Sequence, residues 1–109
     1  VAPLGTYYAT GHAGISKQSS KSVYVTATTD CYEKCDTVTA DVNLQRLEGN
    51  TWAYVTTRSK TGKNVGSVTV SDTITVKSGY YYRVVSVQSA TKTGKREVGS
   101  ASSHSLYIG

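Results

Sequence analysis

The sequence predicts an all-β fold, a seven-stranded antiparallel β-sandwich, and three observations support this prediction. Apolar and polar residues alternate with period 2 in several short segments, as they do in a sheet with one buried face. These segments are rich in Val, Thr and Tyr, which favour strands, and none carries a helical stripe of apolar residues. Turn residues separate the segments at regular spacing. A length of 109 residues fits one domain, which we place at residues 7–109 after a flexible lead-in at residues 1–6.

The first three predicted strands lie at residues 7–16, 22–28 and 38–44. Gly11 and Gly14 weaken the first strand, which is typical of an edge or bulged strand. The second strand alternates Val and Ala with Tyr and Thr, and a polar loop at residues 30–36 follows it. The third strand is the clearest, because Val38, Ala40, Val42 and Leu44 alternate with Thr39, Asp41 and Asn43.

The remaining four strands are predicted at residues 52–57, 68–76, 80–88 and 97–108. A turn at residues 48–50 makes the fourth strand a hairpin partner of the third, with Trp52 and Tyr54 on one face. A loop at residues 58–64 precedes the fifth strand. There Asp72 shares the register of the apolar residues, which predicts a bulge or an edge position. A turn at Ser78 and Gly79 and a loop at residues 90–96 delimit the sixth strand.

The segment from Val76 to Val84 resembles the tyrosine corner of the fibronectin type III domain, one of the immunoglobulin-like β-sandwiches. Val76, Gly79 and Tyr82 match that motif in turn. The resemblance implies that the Tyr82 hydroxyl bonds to backbone near the end of the preceding strand and that Tyr82 and Gly79 are structural. The early core Trp of that family is absent, and Trp52, also taken as structural, comes after the third-strand hairpin.

Residues 37–109 also resemble a group of small secreted proteins of Gram-positive bacteria. The matching residues are Leu44, Gln45, Arg46, Leu47, Gly49, Trp52, the run from Gly79 to Arg83, and Glu97. This resemblance implies a compartment and a kind of host, and it implies no activity.

Composition and charge narrow the partners. The net charge is +5 and the pI about 9.3, but Lys and Arg are spread over loops with no basic block, so no specific nucleic acid is expected. No apolar run approaches the roughly 20 residues of a membrane span, so we expect no membrane insertion. The chain opens with Val1, Ala2 and Pro3, as after removal of a signal peptide. We therefore expect a secreted, extracellular protein.

Cys31 and Cys35 are the two cysteines, and we predict a disulfide between them that shapes the loop at residues 30–36. A redox pair or free thiols are the alternatives. Their spacing is not that of redox motifs, and a zinc site needs further ligands.

No enzyme motif occurs, and we expect no catalytic residues, no metal and no cofactor. Asp30, Glu33 and Asp36 lie close enough to gather Ca²⁺, but they lack the order of known calcium loops, and solvated charges are the alternative. His12 and His104 have no third partner for a metal or a catalytic pair.

The order of the strands in a sandwich brings the loops at residues 30–36, 58–64 and 90–96 to one end. We predict that this end binds, since binding residues concentrate on loops held by a rigid scaffold. The predicted binding residues are Tyr32, Arg58, Lys60, Lys63, Lys92, Lys95 and Arg96. The exposed tyrosines are a second candidate surface, suited to stacking on sugars.

These features favour a non-enzymatic binding module that recognises an anionic polymer, a glycan or a protein at a cell surface through its basic loop end. One alternative is an inhibitor or toxin-like effector that inserts the disulfide-bonded loop into a partner protein. The other is a structural protein that assembles edge to edge. The oligomeric state stays open.

Overall fold

The computed structural model describes residues 8–109, and within that range the fold is all-β and antiparallel, as predicted. Six strands form one sheet. They are β1 (Tyr8–Ser19), β2 (Ser22–Glu48), β3 (Thr51–Thr75), β4 (Tyr80–Lys92), β5 (Lys95–Ser102) and β6 (Leu106–Ile108). The predicted lead-in at residues 1–6 and Tyr7 lie outside the described residues. No helix in the described range has the length and apolarity of a membrane span.

The sheet is built around β2, and β3 pairs with it along almost its whole length. The other side of β2 pairs first with β1 and then, after residue 36, with β4. On its far side β4 pairs with β5 and β6. At about 3.3 Å per residue the 27 residues of β2 would extend about 89 Å, whereas the molecule is 46 Å long. The strand therefore bends back on itself.

The bend lies where the β2–β3 ladder loses its register, between Asp30 and Cys35 on β2. On β3 the matching place is marked by Asn64, whose φ of 55° is a conformation that Asn tolerates better than most residues. We call residues 31–36 and 64–66 the corner. The bend curls the sheet into a half-barrel, so that β1 lies against β4 and β5 although it shares no ladder with them in the described range.

The predicted count of seven strands is wrong for the described residues, and the corner is the reason. The second and third predicted strands are one continuous strand, β2, because the segment at residues 30–36 stays extended around the corner. The fourth and fifth join in the same way as β3, so residues 58–64 are strand and not loop. The last predicted strand divides instead into β5 and β6.

The core lies inside the curl and follows the predicted alternation. We call the parts of β2 before and after the corner its first and second legs. Val38, Ala40, Val42 and Leu44 of the second leg are fully buried, as are residues of the first leg and of β4. Thr29 donates a hydrogen bond to the carbonyl of Thr39 (2.9 Å), which ties the two legs of β2 together across the interior. No buried side-chain polar atom in residues 10–109 lacks a hydrogen-bond partner.

Tyr82 is fully buried at the start of β4. Its hydroxyl donates to the carbonyl of Lys77 (2.7 Å) and accepts from the amide of the same residue (3.1 Å). This is the kind of bond that the resemblance to the tyrosine corner implied. Gly79, with φ of 91°, makes the turn in between, and its amide donates to the carbonyl of Ile108. The turn, the hydroxyl and β6 thus close this end of the molecule.

Candidate functional site

The candidate site is the end of the molecule that carries the corner. The β4–β5 turn comes to this end, because Lys92 Nζ lies 2.7 Å from Glu33 Oε1 and the amide of Thr93 donates to Asp36 Oδ2 (2.9 Å). The hydrogen bond with Glu33 raises the pKa of Lys92. Gly66 of β3 lies beside the backbone of Glu33. Of the three segments that we expected to meet, those at residues 30–36 and 90–96 come together, and the third, at residues 58–64, reaches them only at its end, where Lys63 lies opposite Thr37. Only the β4–β5 connection is a turn.

A row of four residues crosses the outer face of the sheet at this end. Thr37 of β2 lies opposite Lys63 of β3 on one side and opposite Thr91 of β4 on the other, and Thr91 lies opposite Arg96 of β5. Residues opposite each other point to the same face. The two cations, Lys63 and Arg96, lie at the ends of this row, on strands that are three spacings of about 4.8 Å apart, or about 14 Å. We call these four residues the basic row.

Lys63 and Arg96 are exposed and make no ion pair with a described carboxylate. Thr37 and Thr91, between them, are partly buried. The row thus presents two accessible positive charges with hydroxyls in between, an arrangement that suits a ligand with repeated anionic groups.

The structure does not bring all the predicted binding residues to this end. Arg58 lies in the middle of β3 opposite Val42, and its Nε is 2.7 Å from Asp72 Oδ2. Lys60 lies opposite the buried Ala40 and so faces the other way from Lys63. Lys92 is paired with Glu33 as described, and Lys95 closes the β4–β5 hairpin opposite it. Tyr32 is 68% exposed at the corner.

Arg58 and Asp72 have a structural role. Both lie on β3, on either side of the corner, and their ion pair spans the open edge of the curl. The hydrogen bond from Arg58, and then that from the amide of Thr73, hold the pKa of Asp72 below its ordinary value. Because β3 pairs only with β2 among the described strands, Asp72 lies on an edge strand. This is one of the two positions that its sequence pattern predicted. The charged side chains of this edge, Arg58 and Lys60 among them, oppose edge-to-edge assembly.

The backbone at this end holds two unusual conformations. Asn64 and Thr93 are the two non-glycine residues with positive φ in the described range, and both lie here. Thr93, at 50°, precedes Gly94, at 78°, in the two-residue turn between β4 and β5. A β-branched residue rarely adopts this conformation. The carboxylate of Asp36 holds it there, and backbone strain of this kind clusters at binding sites.

The predicted disulfide is not formed. Cys31 and Cys35 lie 3.7 Å apart, well beyond the roughly 2.05 Å of a sulfur–sulfur bond, and both are free thiols. Cys35 is 2% exposed and belongs to the core, and its thiol donates to the carbonyl of Glu33 (3.6 Å). Burial, followed by the hydrogen bond with Cys35, raises the pKa of the Cys31 thiol to about 12. The segment is held by packing and hydrogen bonds and not by a covalent link.

The three carboxylates at residues 30–36 each have a different partner. Glu33 binds Lys92, Asp36 binds Thr93, and Asp30 accepts a hydrogen bond from Ser67 (2.7 Å). Among the residues whose side chains are described, no three His, Cys, Asp or Glu side chains lie close enough to hold a metal. His104 is exposed between β5 and β6.

One cluster near the corner holds the residue types of a hydrolytic triad. His12 Nε2 lies 4.0 Å from Asp30 Oδ2, and Ser67 Oγ donates to the other oxygen of the same carboxylate. In a triad the serine hydroxyl bonds to the imidazole, whose other nitrogen bonds to the carboxylate. Here the carboxylate stands between the two, so the imidazole does not activate the serine.

Sequence reasoning missed Thr37 and Thr91 as members of the site. The alternation seen at residues 38–44 puts Thr37 on the outer face, but only the ladder places it between Lys63 and Arg96.

No known protein-family model and no curated protein matches this chain.

Proposed function

We propose that this chain is a non-enzymatic binding module that recognises an anionic or glycan partner at a cell surface through the basic row. The observation that carries the proposal is the row itself, in which Lys63 and Arg96 present charges that no described carboxylate pairs, on one face with two threonines between them. A polymer with repeated negative groups can contact both cations at once, which strengthens binding through effective concentration.

The surroundings of the row support a binding role. Lys92 offsets the charge of Glu33, which would otherwise repel an anion, and Asp36 accepts a hydrogen bond from the amide of Thr93. The same two contacts fix the β4–β5 turn, so little freedom is lost on binding. Tyr32 adds an exposed aromatic ring at the same end.

We infer in addition that the curled sheet is a fibronectin type III-like or immunoglobulin-like sandwich. Its support is the buried Tyr82 with its two bonds to Lys77 and the packing of β1 against β4 and β5. The resemblance to small secreted bacterial proteins supports a place outside the cell. The cysteines add no support, because both thiols are free, and for the same reason an inhibitor that depends on a disulfide-bonded loop loses its basis.

The test is co-sedimentation with bacterial cell walls, with and without their anionic polymers, at low and raised salt. Replacing both cations of the row (Lys63→Gln with Arg96→Gln) should weaken binding by about two- to thirtyfold, since one exposed charge pair contributes about 0.2–1 kcal/mol. Raised salt should weaken binding by the unmodified protein and have less effect on binding by the variant.

A matched control removes the same charge elsewhere. Lys17 and Lys77 are exposed residues away from the corner, and Lys17→Gln with Lys77→Gln should leave binding within a factor of about two, because lone exposed charges contribute little. Equal weakening by the two double variants would mean that net charge alone drives binding and would overturn the basic row as the site.

A further inference from the structure

The outer face of the sheet carries a second group of side chains, some exposed and some partly buried, at the end away from the corner. They are Trp52 and Tyr54 of β3, Arg83 and Tyr81 of β4, and Tyr107 of β6. Tyr54 and Arg83 lie on either side of Gln45 of β2, and Tyr81 lies opposite Tyr107. We call these five residues the aromatic platform. Tyr54 is 66% exposed, and Tyr81 and Tyr107 are each about half exposed. Clustered exposed aromatic side chains mark binding surfaces more often than single ones do.

A β-bulge turns two of these rings outward. The β2–β3 register shifts between the pairs Leu44 with Thr56 and Gln45 with Tyr54, which leaves Val55 as the extra residue. Without the shift, Tyr54 and Trp52 would share the inward face of Thr56. Bulges often re-aim side chains beside functional sites, and here the bulge adds both rings to the face that carries Arg83.

Arg83 is held in place at the centre of the platform. Its guanidinium lies 4.4 Å from the centroid of the Trp52 ring, and its Nε donates to Gln45 Oε1 (2.8 Å). The other platform rings are also fixed, because Tyr81 and Tyr107 pack together with centroids 4.9 Å apart and the Tyr54 hydroxyl is hydrogen-bonded to the Thr57 hydroxyl (2.9 Å). Side chains ordered in advance lose little entropy when a ligand binds.

The charge of Arg83 is not balanced within the described part of the chain. Arg46 and Arg58 each pair with a carboxylate, of Glu48 and Asp72, whereas Arg83 contacts the neutral amide of Gln45 and the ring of Trp52. Among the residues of β2 that point outward, the nearest carboxylate is that of Asp41. Asp41 lies opposite Val87, which is four residues, or about 13 Å, along β4 from Arg83. A guanidinium fork with free donors on an aromatic surface binds a planar carboxylate well.

We propose that the aromatic platform binds an acidic saccharide, with sugar rings stacked on the tyrosines and a sugar carboxylate on Arg83. The apolar faces of sugar rings stack on exposed aromatic rings, whereas an acidic peptide would use the charge and leave the rings largely unused. Residues 10–109 enclose no cavity, so the ligand lies along an open surface, as a short stretch of a polysaccharide does. The platform spans three strand spacings from β3 to β6, about 14 Å.

This site is separate from the basic row. Gln45, between Tyr54 and Arg83 of the platform, and Thr37 of the basic row lie eight residues apart on β2, which is about 26 Å. A three-sugar ligand is too short to reach both. The inference therefore does not depend on the proposed function, and a small probe distinguishes the two sites.

The test is calorimetric titration with trigalacturonate, with its methyl ester, which keeps the sugars and removes the charge, and with triglutamate. The unmodified protein should bind trigalacturonate most tightly. Arg83→Gln should weaken that binding by at least about tenfold, because it removes a charge-assisted hydrogen-bonding group, and should leave the weaker binding of the ester unchanged. Arg83→Lys, which keeps the charge and loses the fork, should also bind less tightly, with an unfolding temperature that shows an intact fold.

Tyr81→Ala should weaken binding of both sugar ligands, whereas Tyr24→Ala, an exposed tyrosine on the first leg of β2, should have no effect. The double variant of Lys63 and Arg96 should bind trigalacturonate normally. Triglutamate binding as tight as trigalacturonate binding, with Tyr81→Ala unchanged, would show a site for acidic peptides and overturn the proposal. Loss in the double variant with no loss in Arg83→Gln would also overturn it while leaving the proposed function intact.

Discussion

Replacing Tyr82 by Phe removes one hydroxyl and keeps the buried ring. That hydroxyl makes two hydrogen bonds to the backbone of Lys77, at 2.7 and 3.1 Å. A hydrogen bond contributes about 1 kcal/mol net, so the variant should lose about 2 kcal/mol of unfolding free energy. Unfolding entropy of about 2.1 cal/mol/K per residue gives about 230 cal/mol/K for 109 residues, and the loss should therefore lower Tm by about 9 °C.

The assay is urea denaturation together with a thermal scan, and the control is Tyr81→Phe. Tyr81 is the next residue along and is half exposed, so removing its hydroxyl should change the unfolding free energy by less than about 0.5 kcal/mol. The m-value should be the same in both variants, because the fold is kept. Equal losses in the two variants, or a loss in Tyr82→Phe below about 0.5 kcal/mol, would refute the reasoning that these hydrogen bonds fasten the β3–β4 connection.

Three further predictions concern the core, the open edge and the thiols. A Cβ at Gly11 would lie 2.4 Å from Cδ of the buried Gln88. Gly11→Ala should therefore lower the free energy of unfolding, measured by urea denaturation, by about 1–3 kcal/mol. An unchanged free energy of unfolding would mean that Gln88 moves aside freely. Because Arg58 lowers the pKa of Asp72, the carboxylate stabilises the fold at neutral pH and loses that effect as pH falls through the lowered pKa. The stability difference between Asp72→Asn and the unmodified protein should thus be constant above about pH 5 and vanish in acid; a difference that persists in acid would contradict this. With the pKa of Cys31 near 12 and its partner cysteine buried, both thiols should react at pH 8 at least about a hundredfold more slowly than free cysteine. Both thiols should react with a thiol reagent once the chain is unfolded in denaturant, without any reductant. An unfolded chain in which no thiol reacts would contradict the free-thiol structure.

The alternation in the sequence was sufficient to predict the core of β2. Val38, Ala40, Val42 and Leu44 were expected on one face and are fully buried. It could not show that β2 continues through the corner, because residues 31–36 lack the period-2 pattern that identifies a strand. Their conformation depends on the β2–β3 pairs at either end of the segment, Asp30 with Ser67 and Cys35 with Val65, and on contacts with the β4–β5 turn. These are tertiary interactions, which local propensity does not record.

Two local features explain the remaining differences at the sites. In a straight strand, residues with the spacing of Cys31 and Cys35 have Cα atoms about 13 Å apart and cannot contact each other. The bend at the corner brings the two cysteines together, but at 3.7 Å they are still too far apart to bond. The bulge at Val55 leaves no mark in the sequence, because the residues on either side of it alternate without a break. The common face of Trp52 and Tyr54 was therefore predictable, but its orientation towards Arg83 was not.

The hairpin of β2 and β3 has a consequence for folding order. Its ladder begins at the pair Glu48 with Thr51, three residues apart in the chain, and ends at Ser22 with Thr75, 53 residues apart. Each new pair closes only a slightly longer loop than the one before, so the hairpin can zip outward from its turn at small entropic cost per step. Gly49, with φ of 64°, sets that turn. Because both legs of the curl belong to this one ladder, a slip of one residue at Gly49 that no bulge absorbed would turn the inward side chains of β3 to the opposite face from those of β2.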